Sequence, residues 1–270
     1  MNDKKPKTEL NEKVKESEST KKTESTKEPS NNKTPKNYDV ILIPAKYNKK
    51  ITIPENIIKR IPKKIILFSS VQFLEALPDI KNRLESNNIF VLMKKSKNYL
   101  YEGLTTDKGQ LLGCNMEDFS KENFDAFLYI GDGVFHPKAL LINNFKDVYC
   151  YNPKTEKLTV LDKKIHLEYE KKTKTAKILF LKAKNIGILI TTKLGQGNPK
   201  RAKIFRDKIL KKWPEKKVFM FFANEINFSE LENFNFIDIY VNVACSRIGH
   251  DDVSRSEKPI INIADAETLL

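Results

Sequence analysis

Short apolar runs alternate with stretches of helical periodicity along most of the chain. The run "KKIILFSS" at 63–70 precedes a helical pattern at 71–86, and "NIGILITT" at 185–192 precedes one at 197–213. Strands that are apolar along their whole length are typical of parallel sheets covered by helices on both faces. The sequence therefore predicts an α/β fold, and the repeated rhythm indicates two similar parallel-sheet α/β domains.

The same pattern divides the chain into three segments. Residues 1–37 are rich in Lys, Glu and Ser and nearly free of apolar side chains, so we expect a disordered tail there. A central α/β domain is expected over 38–162 and a C-terminal one over 163–270, which opens with a long Lys-rich helix at 163–184. In such folds, loops at the carboxyl ends of the strands form the binding crevice.

The net charge of +14 invites a nucleic-acid interpretation. However, only six of the 49 basic residues are arginines, and the lysines are spread along the whole chain. Because direct readers of base edges usually depend on arginine forks, we do not expect nucleic acid as the main ligand, and an acidic protein partner fits the charge equally well. No apolar run is long enough to span a bilayer and no apolar signal core is present, so we expect no membrane span and a cytoplasmic protein.

The three cysteines are Cys114, Cys150 and Cys245, and their wide separation does not indicate a disulfide framework. Cys150 lies inside the predicted strand "VYCYNP", where a cysteine is usually a small buried apolar residue. Cys114 in "LLGCN" and Cys245 after "DIYVNVA" fall where loops should follow strands, so each is either a structural thiol or a metal ligand. Zinc normally needs close pairs such as C-x-x-C, which are absent; single ligands from separate domains suit an iron–sulfur cluster better.

Five motifs, taken in their order along the chain, carry a family resemblance: "GQLLGCN", "YIGDGVFHP", "TTKLGQ", "NEINF" and "YVNVACSRIGHDD". Together they resemble the archaeal diphthamide-synthesis enzyme family, 2-(3-amino-3-carboxypropyl)histidine synthase, from about Tyr38 to the C-terminus. The resemblance implies three similar α/β domains around a central [4Fe–4S] cluster, with one cysteine from each domain and S-adenosylmethionine at the free iron. It also implies a reduced cluster that cleaves the Cγ–S bond, so that a 3-amino-3-carboxypropyl radical adds to a histidine of elongation factor 2.

Carried over residue by residue, the central-domain ligand of the family is Cys114 and the C-terminal-domain ligand is Cys245, while Cys150 matches no ligand position. Ser246 stands where the family usually has proline. The first domain of the family, with its own cysteine, is not matched. We therefore expect a transferase subunit that works with a separate polypeptide carrying that domain, or with a second copy of the chain. A non-catalytic accessory subunit and a repurposed fold are the alternatives.

The turn "GDGVFHP" offers candidate contacts to the cofactor, because it joins a predicted strand to a helix start. We predict that Gly131, Asp132, Gly133 and His136 contact the amino-acid or ribose part of S-adenosylmethionine, since a Gly-rich turn and a helix N-terminus favour a carboxylate. A tight turn with a capping side chain is the alternative interpretation.

Two further loops contribute the remaining candidates. Gln196 resembles a family position near the cofactor, and its alternative role is that of a polar residue at a helix entry. Asp251 and Asp252 follow the Cys245 loop, where they are predicted to bind the amino group of the cofactor or to position the target histidine. Solvated surface carboxylates are the alternative.

Overall fold

The computed structural model describes residues 45–96, 107–114, 116–193 and 196–270, so the predicted tail at 1–37 lies outside the described residues. No helix in these ranges combines the length and apolar character that a membrane crossing needs. The strands in these ranges are β1 Lys64–Ser69, β2 Phe90–Leu92, β3 Ala126–Ile130, β4 Val148–Asn152, β5 Lys157–Leu161, β6 Asn185–Thr191, β7 Lys217–Ala223, β8 Ile239–Asn242 and β9 Ile260–Asn262.

The strands form two sheets, which are separate in sequence. The first has the order β2-β1-β3-β4-β5, and the second has the order β7-β6-β8-β9. All neighbouring strands are parallel except β4 and β5, which pair antiparallel as a hairpin. The prediction of an α/β fold with parallel-dominated sheets is therefore confirmed, while the domain boundary at residue 163 stays a prediction.

Helices connect and cover these strands. The long helix predicted at 163–184 spans Lys164–Lys182 and links the first sheet to the second. The helix predicted to start at "GDGVFHP" spans only Phe135–Lys138 and continues as a 3₁₀ turn at Ala139–Leu141. The α-helices of the described residues are α1 Glu55–Ile58, α2 Leu77–Glu85, α3 Phe135–Lys138, α4 Lys164–Lys182, α5 Pro199–Lys212, α6 Phe228–Leu231, α7 Ile248–Asp251 and α8 Ile263–Glu267.

Helix ends follow from identifiable side chains. The Asn198 side chain caps α5 by accepting a 2.9 Å hydrogen bond from the Arg201 N–H, and Pro199 occupies the first turn, where its missing N–H costs nothing. At the end of α4, the ammonium of the buried Lys216 donates to the carbonyls of Leu181 and Ala183. This contact provides a cation for the negative end of the helix dipole.

Each sheet is buried on both faces, as the continuous apolar strands require. In β1, Ile65 and Leu67 pack on one face with α2, while Ile66 and Phe68 pack on the other face with Phe127. The central strands of the second sheet divide in the same way, with alternate side chains in two separate apolar clusters. Alternation of side chains across a strand produces this arrangement.

We expect Ile188→Ala to lower the free energy of unfolding by about 3 kcal/mol, because Ile188 is fully buried in the second sheet and its removal leaves a cavity. Ile204→Ala is the matched control, since that side chain is 57% exposed on α5, and it should change stability by less than about 0.5 kcal/mol. Urea denaturation of both variants measures the difference. Equal effects would contradict the assignment of Ile188 to the core.

Candidate functional site

Cys114 lies just beyond the carboxyl end of β1. The chain approaches it through a short bridge: the Ser69 N–H donates to Gly109 O at 2.8 Å, and the Leu111 N–H donates to Ser69 O at 2.9 Å. These bonds form one bridge beside the end of β1, and residues 112–114, which we call the Cys114 loop, follow it. The predicted loop position of this cysteine is thereby confirmed.

Cys245 lies in a second loop, residues 243–247, which we call the Cys245 loop. The strand expected to reach the cysteine ends earlier, at Asn242, whose side chain accepts from the Ala244 N–H at 3.0 Å and donates to Cys245 O at 2.9 Å. Asn262 at the end of β9 accepts from the Asn242 amide at 2.8 Å and donates to Ser246 O at 2.9 Å. Two buried amides at neighbouring strand ends therefore determine the course of this loop.

Arg247 joins the two loops. Its Nη1 donates to Gly113 O at 3.1 Å, in the Cys114 loop, and to Phe135 O at 2.8 Å, at the start of α3. The guanidinium also stacks 4.5 Å from the centre of the Phe135 ring, and the side chain is only 3% exposed. A Cβ on Gly113 would lie 2.3 Å from that ring, so the close approach of the loop to Phe135 requires glycine. One side chain of the second sheet thus holds the loop of the first.

Asp251 holds Arg247 from the opposite side. Its carboxylate accepts from Arg247 Nε at 2.7 Å, forms an ion pair with Nη2, and accepts from the Tyr169 hydroxyl of α4 at 2.9 Å. Burial and the neighbouring Asp251 raise the pKa of Tyr169 to about 12, so the phenol remains a donor at physiological pH. The ring of Tyr169 also meets His250 edge-on, with ring centres 5.7 Å apart. The long helix is therefore attached to the site through one hydrogen bond and one ring contact.

The hydrogen bond between Arg247 and Gly113 O joins the two loops that carry Cys114 and Cys245. Burial raises the pKa of Cys114, and the nearby Cys245 thiolate raises it further, while a backbone N–H and the charge of Arg247 act in the opposite direction. Both side chains are half-buried. Cys150 is separate from them: it is buried in β4, and burial raises its pKa to about 12. We call the pair Cys114 and Cys245 the dithiol site.

The candidates in "GDGVFHP" divide into two groups. His136 lies beside the site, since it directly follows Phe135, whose carbonyl accepts from Arg247. Burial, and to a smaller extent the charge of Arg247, lower the pKa of its ring and so favour the neutral form. Asp132 instead accepts a 2.8 Å hydrogen bond from Lys154, which lowers the pKa of the carboxyl. Gly131 donates its N–H to Tyr151 O at 3.1 Å. A Cβ on Gly133 would meet no heavy atom within 4 Å, so that side of the turn is open to a ligand.

The other two candidate loops differ in their attachment. Gln196 is exposed, and its N–H donates to Lys193 O at 3.2 Å, while its neighbours 194 and 195 lie outside the described residues. Asp252 interacts with Arg255 at 3.4 Å, on the surface side of the segment. Contact of these residues with a cofactor stays a prediction.

Sequence reasoning missed the residues that organise the site. Two features of the sequence could have indicated these residues. Asn242 and Asn262 interrupt the otherwise apolar runs "IYVNVA" and "IINI", and Arg247 is one of only six arginines in a Lys-rich chain. A polar residue inside a strand that is otherwise buried must satisfy its hydrogen bonds, which marks a loop attachment or a site. The Tyr169 contact could not be found this way, because it joins residues 82 positions apart.

Two sheets of mostly parallel strands, each with a loop that carries one cysteine, define an α/β protein in which Arg247 joins the two cysteine loops. The family is shown by comparison with known proteins: the chain belongs to the family described as putative diphthamide synthesis protein, whose model matches residues 27–270. The resemblance inferred from the five motifs is thereby confirmed.

Individual relatives support the assignment. The chain is 30% identical over 234 residues to 2-(3-amino-3-carboxypropyl)histidine synthase from Pyrococcus horikoshii, covering 85% of this chain and 65% of that enzyme. It is 30% identical over 212 residues to subunit 1 of the synthase from Debaryomyces hansenii, covering 77% of this chain and 48% of that subunit. The chain thus spans less than two thirds of these relatives.

Solved structures agree with this comparison. The crystal structure of Dph2 from Pyrococcus horikoshii with a 4Fe-4S cluster matches with a TM-score of 0.62 and 29% identity, over 80% of this chain and 60% of that one. A second crystal structure of the same protein gives a TM-score of 0.63 and 27% identity, over 81% and 62% of the two chains. The fold is therefore that of the matched part of Dph2.

In the folded protein at about pH 8, we expect iodoacetamide to label Cys245 and Cys114 and to leave Cys150 unmodified, because burial and a high pKa withhold the thiolate of Cys150. Mass spectrometry of peptides reads the labelling, and the same reaction in denaturant, which should label all three, is the control. Labelling of Cys150 at the rate of the other two would show that β4 is not buried as described.

We expect stability to fall as the pH drops from about 7.5 to about 5.5. Burial lowers the pKa of His250 and of His136 below the usual value, so the unfolded chain takes up protons before the folded one does. The loss begins near the ordinary histidine pKa and ends below the lowered one. Urea midpoints at the two pH values should therefore differ less in His250→Phe than in the wild type. Equal pH dependence in both proteins would contradict this assignment.

Proposed function

We propose that the chain is part of a diphthamide-synthesis transferase in which Cys114 and Cys245 are two of the protein ligands of a [4Fe–4S] cluster. The observation that supports the proposal is the hydrogen bond from Arg247, two residues after Cys245, to Gly113 O, one residue before Cys114, which joins the two cysteine-bearing loops. Membership in the family and the likeness to Dph2 with its 4Fe-4S cluster support it.

The donor set fits such a group. Thiolates are the usual ligands of iron–sulfur clusters, and half-buried loops leave room that a strand interior does not. The buried cation of Arg247 offsets part of the negative charge that a thiolate-bound cluster would carry. Cys150 is unsuited as a third ligand because it is buried inside β4. We therefore propose that the third cysteine comes from a partner polypeptide, a second copy, or a further part of a longer protein.

A bound cluster would supply the electron that breaks a carbon–sulfur bond of S-adenosylmethionine. The chain itself would bind and orient this co-substrate. Neutral His136 beside the site can donate or accept a hydrogen bond, and Gly133 permits close approach of a ligand to the backbone. Asp251 is already engaged by Arg247 and Tyr169, so its contribution is to support the loop.

The remaining predicted contacts belong to the same proposal. Gly131, Asp132, Gln196 and Asp252 would face the amino-acid or ribose part of the co-substrate, and the acceptor would be a histidine of elongation factor 2. The names of the relatives, which describe synthases of 2-(3-amino-3-carboxypropyl)histidine, support a histidine acceptor. A non-catalytic accessory subunit of the same enzyme is the alternative. The relatives named subunit 1 are consistent with it, because their names describe an enzyme made of several subunits.

Anaerobic iron–sulfur reconstitution tests the proposal, on the chain alone and with any partner that co-purifies with it. Cys114→Ala and Cys245→Ala should each remove the visible absorbance of the cluster and the paramagnetic signal of its reduced form. Cys150→Ala is the matched control and should retain both, because its thiol is buried in β4.

Each outcome distinguishes the candidates. Cluster formation only in the presence of a partner would support a shared ligand set. Cluster formation by the chain alone would support a second copy, or a site for which two cysteines suffice. A cluster that survives both Cys114→Ala and Cys245→Ala, or no cluster under any condition, would overturn the assignment of the ligands and favour the accessory subunit.

A further inference from the structure

We propose that Arg247 is the positioning residue of the dithiol site: its guanidinium holds the Cys114 loop against the Cys245 loop and places the cationic end of its ion pair with Asp251 beside the two thiols. The geometric part of this inference depends only on the described residues. The part that concerns a bound cluster rests on the proposed function.

The first argument is the distribution of the donors of the guanidinium. Nη1 donates to the carbonyls of Gly113 and Phe135, which precede Cys114 and His136 by one residue each. Nε and Nη2 face the carboxylate of Asp251. Nε and Nη1 are engaged by protein acceptors, while Nη2 is ion-paired with Asp251 and buried without a hydrogen-bond acceptor, so Arg247 is not exposed to clamp the carboxylate of a substrate. It acts on the site through the residues that it holds.

The second argument is geometric and explains why arginine is needed. A planar fork reaches two carbonyls on one side and a carboxylate on the other, which the single ammonium of lysine cannot do. The plane is held in place by stacking on Phe135 at 4.5 Å and by Asp251, which is itself held by the Tyr169 hydroxyl. Loss of the guanidinium would remove the donor to the carbonyls of Gly113 and Phe135 and would leave the Asp251 carboxylate with the Tyr169 hydroxyl. The Cys114 loop would then lose its attachment to the second sheet.

The third argument is electrostatic. The side chain of Arg247 is 3% exposed, and its charge acts on both the Cys114 thiol and the His136 ring. A cation at this place stabilises added negative charge in the site. On the proposed function, it would therefore stabilise the reduced form of a cluster relative to the oxidised form.

Cross-linking of the two thiols in the metal-free, full-length protein tests the geometric part. Dibromobimane reacts at both of its arms only with two neighbouring thiols, and peptide mapping identifies the pair. The cross-linking rate is divided by the rate with monobromobimane, so that changes in the reactivity of each thiol cancel. We expect Arg247→Gln to lower this ratio roughly tenfold, since a small displacement of reacting groups costs much of their proximity.

Two variants accompany this measurement. Arg255→Gln is the matched control, since Arg255 is 67% exposed and lies in the same segment, and it should leave the ratio within about twofold of the wild type. Arg247→Lys should give an intermediate ratio, because lysine can replace only part of the fork. Circular dichroism establishes that each variant is folded. An unchanged ratio in folded Arg247→Gln overturns the inference; if that variant does not fold, an unchanged ratio in Arg247→Lys overturns it.

The reduction midpoint potential of the reconstituted cluster tests the electrostatic part. If the role of Arg247 were only structural, this potential would not depend on the charge of the side chain at position 247. We expect a more negative potential in Arg247→Gln and a potential near the wild-type value in Arg247→Lys. Equal potentials in the wild type and Arg247→Gln overturn this part. If no variant and no wild-type preparation binds a cluster, the proposed function fails, while the cross-linking ratio still decides whether Arg247 positions the thiols.

Discussion

The contact on which the site depends is the insertion of one buried guanidinium between two loops from different sheets. Parallel strands bring their carboxyl ends to one edge of each sheet, which places the Cys114 loop and the Cys245 loop at comparable positions. That arrangement alone would not bring the two loops together. Arg247 does so with hydrogen bonds to Gly113 O and Phe135 O and with its stack on the Phe135 ring. A pair of hydrogen bonds thus converts two separate strand ends into one site.

The support of this contact is polar and largely buried. Asn242 and Asn262 hold the backbone of the Cys245 loop, while Asp251 orients the guanidinium and is oriented in turn by Tyr169. Polar groups placed in the interior are costly unless they are paired, so each member of such a network depends on the others. The network therefore specifies one loop conformation more strictly than apolar packing would.

Much of the fold could be predicted from the sequence, because parallel strands that are buried on both faces consist of continuous apolar residues. The strand "KKIILFSS" and the helix at 163–184 were placed within one or two residues of β1 and α4. The strand before Cys245 was predicted too long, because apolar residues continue to Ala244. The structure ends the strand at Asn242, whose side chain accepts from the Ala244 N–H. The two loop cysteines were found as candidates because they follow apolar runs.

The residues that bring these cysteines together were not predicted. Arg247, Asp251 and Tyr169 act through contacts between segments that are distant in sequence, and local patterns carry no information about such contacts. Asp251 was predicted as a contact to the cofactor, whereas the structure engages its carboxylate with Arg247 and Tyr169. The sequence thus indicated candidate residues for the site, but only the fold shows which side chains they contact.

The mounting of each cysteine on a different sheet has a mechanical consequence. The separation of the two sulfur atoms depends not only on the loops and on Arg247, but also on how the two sheets rest against each other. A substitution deep under β3 or β8 can therefore change the spacing of the sulfur atoms without touching the loops, since dense interiors transmit small displacements. The effect of a mutation on the site therefore depends on the whole contact between the two sheets, and it extends to core residues far from either thiol.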